Sequence, residues 1–119
     1  MPFDDPIDPL SDILEHIADI ERFLQGMSPI DLEADRRTIF ACQYALLVIS
    51  EAAKRLGPGA EELCPGLPWR DIRGIGNRLR HAYDMLDFAL IWKVYQDDLP
   101  PLKASVTKAL ERLANPPTE

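Results

Sequence analysis

Histidine, cysteine and glycine are scarce in this chain, and each scarcity closes off a class of chemistry. His16 and His81 are the only two histidines in 119 residues, and they stand far apart. Neither has a cysteine or another histidine at ligand spacing, which argues against a zinc site and leaves no metal expected. The two cysteines, Cys42 and Cys64, lack metal-type spacing too, and read as reduced thiols of a cytoplasmic protein. Six glycines include no phosphate loop: "GIG" at 74–76 lacks the following glycine and lysine that would complete one. No cofactor is implied.

Long apolar runs are missing as well. Nothing approaches the roughly 20 residues that a membrane span needs, so no membrane partner is expected. The opening "MPFDDPIDPL" is acidic and broken by proline, unlike an export signal. Positive charge is outnumbered, 13 Lys and Arg against 20 Asp and Glu, for a formal net charge of −7. General affinity for nucleic acid is therefore not expected, because phosphate binding needs cations where contact is made. A local cationic site stays open. The length suits one domain with one core, expected over 1–115 with a disordered tail at 116–119.

What is present is helical periodicity. Asp8 is placed to cap a first helix with Pro9 at its first position, and Leu10, Ile13, Leu14, Ile17, Ile20 and Leu24 form one stripe. "QGMSP" ends it. Ser28 and Pro29 start a second helix, with Asp31 as capping-box partner, running to about Leu56. Its middle, "IFACQYALLVIS", is apolar on nearly all sides, which predicts the central helix. Pro100 and Pro101 demand a kink or a fresh start before the last helix. The expected fold is all-α, an up-and-down bundle of four to five helices. The apolar surplus on the second helix and on "FALIW" predicts a homodimer.

Against this acidic background, "WRDIRGIGNRLRHAYD" at 69–84 concentrates Arg70, Arg73, Arg78 and Arg80 beside His81. On an ideal helix Ile72, Ile75, Leu79 and Tyr83 share one face with Gly76 beside them. Arg73, Asn77, Arg80, His81 and Asp84 share an arc on the other side. A histidine can move protons near neutrality. Guanidinium groups beside it can hold a phosphodiester and stabilise its pentavalent transition state. That combination can cleave RNA without a metal, by attack of a 2′-hydroxyl on its own phosphate. The plainer alternative is a solvated charged face whose arginines pair with nearby acids. Trp69 and Trp92 read as packing anchors rather than base platforms, and Glu51 as an arginine's buffer or simply exposed.

The segments "LSDILEHIADIERFLQG", "LEADRRTIFACQYALLVISEAAKRL" and "PWRDIRGIGNRLRHAYDMLDFALIWKVYQDDLPPLKASV" together resemble the HepT-like proteins of the HEPN superfamily, over roughly residues 10 to 106. The resemblance implies a helical domain that dimerises and sets two polar motifs across a cleft. It also implies the toxin of a toxin–antitoxin pair, a metal-independent endoribonuclease whose antitoxin is a small nucleotidyltransferase. The family motif is an arginine, a polar residue, a histidine five positions after the arginine and a tyrosine two beyond the histidine. Here the polar residue matches Asn77, the catalytic histidine His81, and the tyrosine that the partner modifies with AMP matches Tyr83. The arginine's place holds Gly76, and Arg73 or Arg80 is expected to supply the guanidinium instead. Two functions follow: a ribonuclease using His81, Asn77, Arg73 and Arg80, or a non-catalytic subunit that pairs with the nucleotidyltransferase and cuts nothing.

Overall fold

The computed structural model describes residues 5–81 and 87–115, and among them every regular element is helical. Helix α1 (Ile7–Leu24) begins one residue before the expected Asp8 cap. The Asp5 carboxylate accepts from the Ile7 amide at 2.9 Å, and Asp8 sits inside the first turn. Of its stripe, Leu10, Ile13, Ile17, Ile20 and Leu24 are buried and Leu14 is partly buried against them.

The Ser28 capping box forms as expected. Ser28 Oγ accepts from the Asp31 amide at 3.2 Å, and the Asp31 carboxylate accepts from the Ser28 amide at 3.0 Å. The helix it starts, α2 (Pro29–Glu33), lasts little more than one turn. The expected single helix to Leu56 is in fact two. Asp35 interrupts it by capping α3 (Arg36–Leu56), accepting from the Thr38 amide at 3.0 Å and the Thr38 hydroxyl at 2.8 Å. These bonds hold the Asp35 carboxyl below its usual pKa, the backbone bond from Thr38 foremost. The side chain offers the backbone a cap that competes with helix continuation.

Helix α3 is central, packed against α1 on one side and α5 (Trp69–His81) on another. Between them lies α4 (Gly59–Leu63), one turn whose last carbonyl accepts from Arg112 at 2.7 Å. Trp69 is buried at the head of α5, its indole N–H donating to the Cys64 carbonyl at 2.8 Å. It is a packing anchor. Both cysteines are buried and unpaired, and burial pushes the Cys42 thiol up to about 12.

Asp87 caps α6 (Phe88–Lys93), which passes through a π-helical stretch, Val94–Asp98, into α7 (Leu99–Ala114). Pro100 and Pro101 sit in the first turn of α7, where a missing N–H costs little. Of "FALIW", Leu90 and Ile91 are buried while Phe88 and Trp92 pack against the core. The apolar surplus expected there is thus absorbed within one chain. Large apolar side chains that stay exposed include Ile30, Phe40 and Tyr44, on α2 and α3. No described helix is long and apolar enough to cross a membrane. The expected tail, 116–119, lies outside the described residues.

Candidate ribonuclease site

Helix α5 shows two faces. Trp69, Ile72, Ile75, Gly76 and Leu79 are buried, while Asn77, Arg78 and Arg80 are exposed. Asn77 precedes Arg80 by three residues and His81 by four, so the three stand on one side of the helix. His81 is the last residue of α5. The His81 side chain, Tyr83 and Asp84 lie outside the described residues.

The arginines of this helix have different surroundings. Arg73 turns towards the corner between α3 and α4. Its guanidinium donates to both Glu61 carboxylate oxygens, at 3.0 and 2.7 Å, and to the Gly57 carbonyl at 2.7 Å. This forked pair lowers the Glu61 pKa and raises that of Arg73, the hydrogen bond between them being the main cause in each case. Gly57 is the residue that ends α3, so Arg73 fastens α5 to the end of α3 and to α4. Arg80, by contrast, lines a groove between α3 and α5. The structure does not bring Arg73 and Arg80 together, although both fall on one helical arc. An arc fixes only where a side chain leaves the backbone, and a long side chain ends where its partner is. Glu51, expected as an arginine's buffer or simply exposed, is exposed and pairs with Lys54 at 3.2 Å.

Gly76, at the motif arginine's place, faces α3. Its amide donates to Ser50 Oγ at 3.2 Å, and the Ser50 hydroxyl donates to the Arg73 carbonyl at 2.7 Å. A Cβ at residue 76 would stand 3.1 Å from Leu47 Cδ1 and 3.2 Å from Ser50 Oγ. Glycine here permits a close helix crossing. Ser50 is fully buried and links the two helices, a role that the sequence hinted at only through a lone hydroxyl in "LLVISEAA".

The groove beside Gly76 has a volume of about 390 Å³, walled by Phe40, Tyr44 and Leu47 of α3 and by Leu79 and Arg80 of α5. Tyr44 is 65% exposed and Phe40 47%, and the Arg36 guanidinium lies over the Phe40 ring, 5.0 Å from its centroid. These two aromatics belong to the helix on which the sequence places an apolar surplus, and the single chain leaves both uncovered. Among the described residues, no group of three or more metal-binding side chains converges.

Comparison with known proteins finds a family for this all-helical chain. The family model "Ribonuclease HepT-like" matches residues 13–109. The chain belongs to the HepT-like ribonuclease family. It is 37% identical over 101 residues to the "probable ribonuclease HepT" of Thermococcus cleftensis, covering 85% of this chain and 92% of that one. A relative from Methanocaldococcus jannaschii is 31% identical over 97 residues, covering 82% and 89%. Another from Caldanaerobacter subterraneus is 30% identical over 103 residues, covering 83% and 92%. Both carry RNase in their names. No solved structure matches the chain.

Proposed function

We propose that this HepT-like protein is a metal-independent endoribonuclease, acting in the cytoplasm as the toxin of a toxin–antitoxin pair. The observation that carries the reading is the polar edge of α5, where Asn77 and Arg80 are exposed on the side that leads to His81. His81 accepts the proton of the RNA 2′-hydroxyl as that oxygen bonds to phosphorus. The bond to the 5′-oxygen breaks, and an imidazolium supplies the leaving group's proton. Arg80 stabilises the added negative charge on the phosphorane oxygens, and Asn77 orients a non-bridging oxygen. A cyclic 2′,3′-phosphate and a free 5′-hydroxyl result.

In this reading two copies pair, so that two such edges face one cleft and both proton transfers can be served. Tyr83, two residues beyond His81, is the target of AMP transfer by a small nucleotidyltransferase partner, which would close the cleft with a phosphate and its bulk.

A second reading has a specific observation behind it. Gly76 carries no side chain and Arg73 is held by Glu61, which leaves Arg80 as the α5 arginine that lines the groove. A protein with that deficit would serve as a non-catalytic subunit for the nucleotidyltransferase. The two readings separate on single-stranded RNA incubated with the purified protein in EDTA. Cleavage leaving cyclic phosphate ends, and blocked by a 2′-deoxy sugar at the cut site, supports the ribonuclease. Intact RNA at micromolar protein supports the subunit.

A further inference from the structure

The groove between α3 and α5 presents a pair of exposed aromatic rings to solvent. Phe40 and Tyr44 are one helical turn apart on α3, and Tyr44 leaves 65% of its surface uncovered. Cations adjoin the rings. Arg36 lies over Phe40, and Arg80 lines the groove. In a protein of net charge −7, the ion pairs formed among the described residues take up Arg22, Arg55 and Arg73, and none includes Arg36 or Arg80. Gln43 adds an amide that can both donate and accept. The space, about 390 Å³, falls within the range of about 300–1,000 Å³ typical of small-ligand sites.

Aromatic rings interleaved with guanidinium groups are the surface that unpaired nucleobases and their phosphates fit: the ring stacks, and the cation follows the backbone. An isologous contact with a second copy fits less well. It would mate this face with itself and bring each Arg36 and Arg80 against the same charges of the other copy. We infer that this groove is a nucleobase subsite, in which one base of a single-stranded RNA stacks on Tyr44, Gln43 meets its edge, and the adjoining phosphate lies against Arg80. The inference rests on the ribonuclease reading and adds to it: Tyr44 and Gln43 decide which base lies next to the bond that is cut. Because Arg80 belongs to both the groove and the polar edge of α5, a base held here places its own phosphate at that edge.

The test measures binding and cleavage separately. Fluorescence anisotropy with 2′-O-methyl homopolymers of U, C, A and G, which cannot be cut, reads binding by the full protein. Tyr44→Ala is expected to weaken binding by about tenfold or more, as loss of one stacked base does. Tyr44→Trp is expected to keep it, with indole emission quenched as RNA is added. Gln43→Ala is expected to flatten the order of preference among the four bases with little change in overall affinity. Circular dichroism checks that each variant is folded. Equal binding by Tyr44→Ala and wild type overturns the subsite, even where cleavage in EDTA upholds the ribonuclease. Binding that depends on Tyr44 without any cleavage upholds the subsite and removes the ribonuclease. Light scattering that shows a dimer in wild type and a monomer in Tyr44→Ala assigns the groove to a second copy and overturns the inference.

Discussion

Ser50 and Gly76 hold α3 and α5 together: the Gly76 amide donates to Ser50 Oγ at 3.2 Å, and a side chain at Gly76 would press on that same oxygen and on Leu47. The position that the resemblance matches to the motif arginine is therefore spent, in this chain, on a close helix contact. Restoring the arginine is not a repair. Ser50 Oγ is held by its bond to the Arg73 carbonyl, and giving way by a few tenths of an ångström stretches that bond. Alanine at this position gains about 1 kcal/mol in helix propensity. The forced contact costs about 1–3 kcal/mol. The net for Gly76→Ala is a loss on the order of 1 kcal/mol, read as a lower urea midpoint. Gly76→Arg is expected to lose more and to cut RNA no faster than wild type. A variant as stable as wild type with raised cleavage would contradict this.

Arg73 and Arg80 should fail in different ways. Arg80→Ala is expected to leave the melting curve nearly unchanged and to lower kcat/KM for RNA cleavage by roughly a hundredfold or more, the scale of one lost charge-stabilising donor. Arg73→Ala removes the clasp on Glu61 and the Gly57 carbonyl, so it lowers thermal stability. Its kcat/KM, measured well below its Tm, should stay within a few-fold of wild type. The reverse pattern would make Arg73 the phosphate ligand.

Most of the fold was legible because its signals are local. The α1 stripe, the Ser28–Asp31 box and the start at Pro100 and Pro101 each lie within a few residues of sequence. The break at Asp35 was hidden because apolar residues on both sides gave one continuous pattern, and only the Thr38 bonds reveal the cap. In the site, the polar edge of Asn77 and Arg80 was legible from the helical period. The capture of Arg73 was not, because Glu61 is 12 residues away on the one-turn helix α4. An apolar surplus on this helix was legible, but not that Tyr44 belongs to it: periodicity shows which residues are apolar, not how much of α3 its neighbours cover.

The Asp35 cap gives the protein an acid-side signature. Its carboxyl titrates below its ordinary value in the folded chain, so near pH 4 the unfolded chain binds more protons there. The contribution is present above the unfolded pKa, about 3.9, and fades as pH falls through the lower folded value. Stability by urea titration should therefore fall between about pH 5 and pH 3. Asp35→Asn, which can still cap but carries no charge, should make that fall shallower. An equal slope in both proteins would remove Asp35 from the acid response.

Self-association and modification have their own readouts. Sedimentation at micromolar concentration is expected to give about twice the 13.4 kDa chain mass. Co-expression with a cognate nucleotidyltransferase should add AMP-sized steps to the intact mass, and these should vanish in Tyr83→Phe. A monomer throughout, or adducts that persist in Tyr83→Phe, would contradict the proposed assembly.

The central claim is that the edge of α5 ending in His81 cuts RNA without a metal. The most direct measurement is single-turnover cleavage of a single-stranded RNA in EDTA by wild type and His81→Ala, with circular dichroism on both. The account predicts a cyclic phosphate product from wild type, none from His81→Ala, and superimposable helical spectra. Equal cleavage by the two proteins, or intact RNA with wild type at every protein concentration, would contradict it.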